Sequence, residues 1–166
     1  MMWAMTEYAP GDGPPPRIYT EDEALAIVAG SRQGVLATIR RDGTPHLSNM
    51  LYVWDPDQRA LLMSTKAPRV KVAHLRNNPR AAMQVAGDNF FSYAVVEGTA
   101  EVSEVTTTPG DAAGQALRAA YPEVPDEQVE ELYKQLVKDE RVLITLRVTK
   151  ARGMVIELDG VVTDLA

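Results

Sequence analysis

The chain has 166 residues, of which 45% are hydrophobic and 24% are charged, and its formal net charge is −6. These totals predict one globular domain with a substantial core, and the acidic balance argues against general binding to nucleic acids or anionic membranes. There is no cysteine and there are only two histidines, His46 and His74, so disulfides and thiolate sites are excluded and no metal site is expected. No apolar run approaches the ~18 residues of a membrane span and no signal peptide is visible, so a cytoplasmic protein is expected.

Composition divides the chain into three parts. Residues 1–19 are rich in Met, Pro and Gly, which predicts a flexible N-terminal tail. Residues 20–160 form a single predicted domain, and residues 161–166 form a short C-terminal tail. Thr20 and Glu23 have the spacing of a capping box, and Gly30 follows an apolar stretch, so a helix is predicted from Thr20 to about Ala29.

Short β-rich stretches bounded by turn residues dominate the rest of the domain. Asp42 and Gly43 predict a hairpin turn, and Gly98 predicts a kink or bulge within a long strand. The predicted strands are residues 34–40, 45–54, 60–65, 81–85, 90–105, 141–148 and 154–158, and two later helices are predicted at about 114–120 and 125–138. Few helices among antiparallel strands predict a mainly β fold, a β-barrel with peripheral helices.

The stretch 64–80 carries the strongest local signal for a ligand site. Pro68 suits the first turn of a helix, and Pro68, Val72 and Leu75 have the spacing of a buried stripe. A strand that runs into a helix places hydroxyls and backbone N–H groups beside basic side chains, which suits an anion, most plausibly a phosphate. The alternative is a solvated basic helix face. The candidate residues are Ser64, Thr65, Lys66, Arg69 and Lys71.

Polar residues interrupt the predicted strand 45–54. Ser48 and Asn49 follow an apolar residue, and a polar side chain that faces a barrel interior needs a hydrogen-bond partner. The edge of a cofactor ring would supply that partner, and so would a neighbouring backbone group. His46, on the same strand, is expected to be exposed rather than to donate a proton.

Several short motifs occur in a fixed order along residues 20–158. They are Gly-Val-Leu-Ala-Thr-Ile at 34–39 with Asp-Gly-Thr-Pro at 42–45, Leu-Ser-Asn at 47–49, Ser64 with Arg69 and Lys71, Asn-Pro-Arg-Ala at 78–81, and Tyr93 with Glu-Gly-Thr-Ala at 97–100. Together they resemble the flavin- and deazaflavin-binding split β-barrel family, the pyridoxamine 5′-phosphate oxidase-like group. Within that group they are most similar to the actinobacterial branch that uses the deazaflavin coenzyme F420.

The resemblance implies a six-stranded antiparallel split β-barrel, a homodimer, and two cofactor sites at the subunit interface. The residues that match the family's phosphate site are Ser64, Thr65, Arg69 and Lys71, and Lys66 is a candidate for further negative charge on F420. The residues expected to lie against the cofactor ring are Leu47, Ser48, Asn49 and Met50. A third segment is expected to approach the cofactor from the partner subunit, namely Phe91, Ser92 and Tyr93.

The resemblance implies an F420-dependent reductase that transfers a hydride from the reduced deazaflavin to a small conjugated substrate. The alternatives are an FMN-dependent oxidase or reductase of the same fold, and a non-enzymatic protein that binds a flavin, F420 or a tetrapyrrole. Residues 161–166 lack the Trp and Arg that pyridoxamine-phosphate oxidases carry near their C-terminus, so vitamin B6 oxidation is not expected. No catalytic side chain is assigned. The acidic helical insertion 106–140 either covers the pocket or is a peripheral addition.

Overall fold

The computed structural model describes residues 9–11 and 13–157. Within these residues it contains eight strands: β1 Arg17–Ile18, β2 Gln33–Ile39, β3 Pro45–Leu51, β4 Val53–Asp55, β5 Ala60–Lys66, β6 Arg80–Ala86, β7 Tyr93–Val102 and β8 Arg141–Val155. The four α-helices are α1 Glu21–Ala29, α2 Val70–Asn77, α3 Ala112–Leu117 and α4 Val129–Lys138. None of these helices is long and apolar enough to cross a membrane.

All the strands pair in antiparallel fashion in one sheet, in the order β3-β2-β6-β7-β8-β5-β4, and β1 pairs with β8. β3 and β4 lie at opposite ends of this order, yet only Tyr52 separates them in the chain. The sheet must therefore curl until its two ends meet. This topology gives a split β-barrel with peripheral helices, the fold class that the sequence predicted.

The number of strands differs from the expected six. The single predicted strand 45–54 is broken at Tyr52, whose buried hydroxyl donates to the carbonyl oxygen of Val28 at 2.7 Å. Burial raises the pKa of Tyr52 to about 12. No glycine or proline stands at this break, so the alternating pattern of residues 45–54 predicts an uninterrupted strand.

The predicted strands 141–148 and 154–158 are instead one continuous strand, β8, which ends at Val155. Gly153 suggested a turn, but it pairs with Ala94 of β7. A Cβ atom at Gly153 would collide with the carbonyl oxygen of Tyr93, so this glycine marks a close approach of two strands. Residues 158–166, which include the predicted C-terminal tail, lie outside the described residues.

The end of the predicted N-terminal tail belongs to the sheet. Arg17 and Ile18 form β1, and the N–H of Tyr19 donates to the carbonyl oxygen of Gly153 at 2.9 Å. The capping box at Thr20 and Glu23 is present at the start of α1, as predicted. Both hydrogen bonds of the box therefore fix the point where the chain leaves the sheet edge and enters the helix.

The bulge predicted at Gly98 is also present, because the register between β7 and β8 shifts between Glu97 and Gly98. A Cβ atom at Gly98 would collide with the carbonyl oxygen of Arg147. Only glycine therefore lets the two backbones approach at this point.

Two apolar clusters hold the fold together. Alternate residues of β5 serve different clusters: Leu61 and Met63 lie in the barrel interior, whereas Leu62 faces the helical segment. There Leu62 packs with Leu117 of α3 and Leu136 of α4. Because β5 is apolar on both faces, it is covered on both sides, and its C-terminal end is held firmly in place.

Candidate functional site

One cleft of about 490 Å³ brings together most of the predicted site residues. β3 forms one wall, and the end of β5 with the start of α2 forms the other. Eight of the twelve predicted residues line it, namely Ser48, Asn49, Met50, Ser64, Thr65, Lys66, Arg69 and Lys71. The remaining lining residues were not among the predicted ones, namely His46, Leu51, Val70 and Arg141.

The turn between β5 and α2 differs in detail from the expectation. Pro68 was predicted in the first helical turn, but the helix begins at Val70 and Arg69 is its N-cap residue. The N–H groups of Ala67 and Arg69 already donate to the carbonyl oxygens of Glu140 and Lys66. The N–H of Val72 donates to the carbonyl oxygen of Arg69. The N–H groups left to meet an anion are therefore those of Val70 and Lys71, the first two helical residues.

The predicted stripe on α2 is present only in part. Val72 and Leu75 are buried as predicted, while Pro68 is exposed because it lies outside the helix. Leu75 packs into the core of the barrel and so holds α2 against it, while Arg69 and Lys71 at the start of the helix line the cleft.

The positive charges of the cleft are only partly neutralised. Lys66 pairs with Asp139 at 3.2 Å, a partner that the sequence reasoning missed. Arg69 and Lys71 form no salt bridge with any residue in the described ranges. Lys71 is half-buried, and its Nζ lies 3.0 Å from the sulfur of Met50. Burial, together with the charge of Arg69, lowers the pKa of Lys71 from its ordinary value.

Ser48 adds an unsatisfied polar group to the same cleft. Its hydroxyl oxygen is buried and has no hydrogen-bond partner among the described residues. Thr38, on the neighbouring strand β2, is fully buried but is 3.0 Å from Nδ1 of His74. A buried hydroxyl without a partner costs about 1–3 kcal/mol, so Ser48 fits a site whose hydrogen bond comes from a ligand.

The two histidines stand together beside this wall. His46 lines the cleft, and its ring lies 5.2 Å from the ring of His74 in an edge-to-face arrangement. Burial lowers the pKa of His46, and the nearby charges of His74, Arg40 and Lys71 lower it further. Both effects favour the neutral form of the His46 imidazole over its charged form.

The four other predicted residues do not line this cleft. Leu47 lies between two lining residues of β3 but does not line the cleft itself, and it is 63% exposed. Phe91 is 41% exposed, and the hydroxyl of Ser92 is 2.8 Å from that of Tyr19, which satisfies it within the chain. Tyr93 begins β7, where it pairs with Ala86 and Met154. The approach of Phe91, Ser92 and Tyr93 to a partner's cofactor remains a prediction.

The helical segment 106–140 borders the cleft. The hydroxyl of Tyr121 donates to the hydroxyl oxygen of Ser64 at 2.8 Å. A second pocket of about 260 Å³ lies between this segment and the sheet, and it shares Leu51, Ser64 and Arg141 with the cleft. Of the two alternatives for the segment, the structure therefore favours the one in which it shapes the pocket.

Comparisons with known proteins agree with this architecture. The family model described as pyridoxamine 5′-phosphate oxidase matches residues 20–154. A conserved hypothetical protein of Mycobacterium tuberculosis shares 26% sequence identity, with 87% of this chain and 89% of that chain covered and a TM-score of 0.63. An F420 reductase also shares 26% identity, with coverages of 76% and 93% and a TM-score of 0.54.

A FAD-binding protein of Mesorhizobium loti is similar in fold alone. It shares 19% identity, with 86% of this chain and 97% of that chain covered and a TM-score of 0.58. The family match spans every residue that lines the cleft. The chain belongs to the pyridoxamine 5′-phosphate oxidase family, whose split β-barrel it shares.

Proposed function

We propose that the cleft binds the phosphate and ring of coenzyme F420, and that the protein is an F420-dependent oxidoreductase. One observation supports this most directly: two unneutralised cations and an unsatisfied buried hydroxyl line the same cleft. The cations Arg69 and Lys71 suit a phosphate, and Ser48 suits the polar edge of a ring. A ligand that carries both groups would satisfy all three side chains.

The chain's own residues would bind and orient the cofactor. The residues that would hold its phosphate are Ser64, Thr65, Lys66, Arg69 and Lys71, and those beside its ring are Ser48, Asn49 and Met50. When bound in its reduced form, F420 supplies a hydride to an electron-poor conjugated substrate. The wall formed by β3 would shield one face of the ring from water.

The choice of F420 over FMN is supported by the likeness to an F420 reductase, of which this chain covers 93%. The candidate phosphate-binding residues suit both cofactors equally, because each carries a phosphate on a ribityl chain attached to a tricyclic ring. An FMN-dependent enzyme of the same fold is therefore the rival that the experiment must separate.

A second copy of the chain would complete the site. Leu47 and Leu51 share one face of β3 and are 63% and 72% exposed, and Leu51 also lines the cleft. They pair with Ala37 and Gln33 of β2. We propose that this apolar face forms a homodimer interface. The mass of the protein in solution, measured by light scattering, should be that of two chains, and Leu47→Asp with Leu51→Asp should halve it.

Titration of the purified protein with F420 and with FMN tests the proposal. We expect F420 to bind in the micromolar range or tighter, and FMN to bind at least tenfold more weakly. The reduced coenzyme should then be oxidised on addition of an enone or a quinone, which absorbance measures directly. Tight binding of FMN alone would favour the rival enzyme. Binding of F420, FMN or a tetrapyrrole without turnover of any such substrate would favour the non-enzymatic carrier.

A further inference from the structure

The hydrogen bond between Tyr121 and Ser64 joins two distant parts of the chain. Tyr121 follows the short 3-10 turn Arg118–Ala120 in the helical segment, and Ser64 lies near the end of β5. The phenol is the donor, and its oxygen lies 2.8 Å from that of Ser64. Ser64 shares a face of β5 with Leu62, which packs on the helices, so the phenol reaches it from the helical side.

The hydrogen bond from Tyr121 limits where the Ser64 hydroxyl can donate its own proton. A serine hydroxyl has one proton to donate and two acceptor positions. Tyr121 occupies one acceptor position of Ser64, so the proton of Ser64 must go to a different acceptor. No acceptor for that proton is present among the described hydrogen bonds. Because Ser64 also lines the cleft, its proton is available to an anion there.

The phenol is held rigidly where it makes this contact. The guanidinium of Arg118 donates to the carbonyl oxygens of Tyr121 and Val124, the latter at 2.6 Å. The ring of Tyr121 packs on the buried cluster that contains Leu117 and Leu136. These contacts hold Tyr121 beside Ser64, so the Ser64 oxygen already accepts this hydrogen bond before any ligand arrives.

We propose that Tyr121 is a positioning residue for anion recognition, which fixes the Ser64 hydroxyl so that its proton is donated into the cleft. This inference rests on the proposed function, since it requires a phosphate in the cleft. It gives the helical segment a defined role: the segment supplies an outer contact that prepares one donor of the phosphate site. A hydrogen bond donated to Ser64 also polarises its O–H group and strengthens the bond that Ser64 donates in turn.

A double-mutant cycle with Tyr121→Phe and Ser64→Ala tests the inference. The probes are F420 and its phosphate-free chromophore, 8-hydroxy-5-deazariboflavin, titrated by fluorescence. Tyr121→Phe should lower the affinity for F420 about five- to tenfold and leave that for the chromophore unchanged. In the Ser64→Ala background, Tyr121→Phe should have no further effect on either probe.

Tyr133→Phe is the matched control, because Tyr133 packs on the same cluster of the same segment. It should leave both affinities unchanged. A loss that is equal for F420 and for the chromophore, or that persists in the Ser64→Ala background, would reduce Tyr121 to a structural role and overturn the inference. Unchanged F420 affinity in Tyr121→Phe would overturn it as well. If the wild-type protein binds neither probe, the proposed function itself fails, which is a different result.

Discussion

Two arginines on the outer sheet and two basic residues of the cleft differ in whether a carboxylate lies beside them. On the outside, Arg147 pairs with Glu101 at 2.9 Å, and Arg152 pairs with Glu97. In the cleft, Arg69 and Lys71 pair with no acidic residue of the described ranges. The chain carries 23 acidic residues against 17 basic ones, so carboxylates are not scarce. Arg69 and Lys71 thus lie in one cleft without a carboxylate partner in the described ranges, an arrangement that suits an anionic ligand.

The buried hydroxyls of the barrel show the same contrast. Thr38 is paired with His74 inside the chain, while Ser48, on the adjacent strand, has no partner among the described residues. One position is complete in the folded protein, and the other requires something from outside. Charge and hydrogen bonding thus identify the same cleft by independent criteria.

The largest effect should come from the double variant Arg69→Ala/Lys71→Ala. Each side chain can make a charge-assisted hydrogen bond to a phosphate, so the affinity for F420 should fall about a hundredfold or more. Fluorescence titration of the coenzyme measures the loss. The free energy of unfolding should change little, because neither side chain has an ionic partner to leave behind.

The matched control for this variant is Arg147→Ala, which removes a cation that already has a partner on the outer surface. It should change F420 affinity by less than about twofold, since exposed ion pairs contribute little and lie outside the cleft. Equal losses in the two variants would mean that net charge alone attracts the coenzyme. No loss in the double variant would remove the basis of the proposed function.

The second-largest effects should distinguish the hydroxyl of Ser48 from that of Thr38. Ser48→Ala should leave the free energy of unfolding unchanged or raise it slightly, because it removes an unsatisfied buried group, while F420 affinity falls about five- to tenfold. Thr38→Val should lower the free energy of unfolding by about 1–2 kcal/mol, because it leaves the His74 ring nitrogen without its partner. Denaturant unfolding and coenzyme titration of both variants measure the contrast. A loss of stability in Ser48→Ala would show that its hydroxyl is already bonded.

The sequence predicted features that depend on residues close together in the chain. The capping box at Thr20, the turn at Gly43 and the bulge at Gly98 each rest on a local requirement for one residue type. The residues predicted to bind a phosphate lie within eight positions of one another, so their clustering follows from one strand, one turn and one helix. The opposite wall of the cleft is formed by β3. Its residues were linked to residues 64–71 only by the family resemblance, because their spacing in the chain does not indicate that the two stretches lie together.

Features that depend on distant contacts were not predictable in this way. The break at Tyr52 depends on a hydrogen bond to Val28, and no turn residue marks it. The neutralisation of Lys66 depends on Asp139, which is 73 positions away, from residue 66 to residue 139. The contact of Tyr121 with Ser64 joins residues 57 positions apart. Each of these contacts depends on how the whole sheet is arranged, so no local sequence pattern predicts it.

The smallest effect, and the sharpest on mechanism, is the pH dependence of coenzyme affinity. Burial and Arg69 place the pKa of Lys71 below its ordinary value of 10.5, so Lys71 loses its proton at a lower pH than an exposed lysine. Only the protonated amine attracts a phosphate, so F420 affinity should fall several-fold as the pH rises through this lowered pKa. In Arg69→Ala, one cause of the shift is removed, so the fall should move to higher pH. In Lys71→Ala, the fall in affinity through this pKa should vanish, and a profile that retains it would assign the titration to another group.

The bound phosphate favours the charged amine, so saturating F420 should raise the pKa of Lys71, which ¹⁵N-detected titration of that side chain measures.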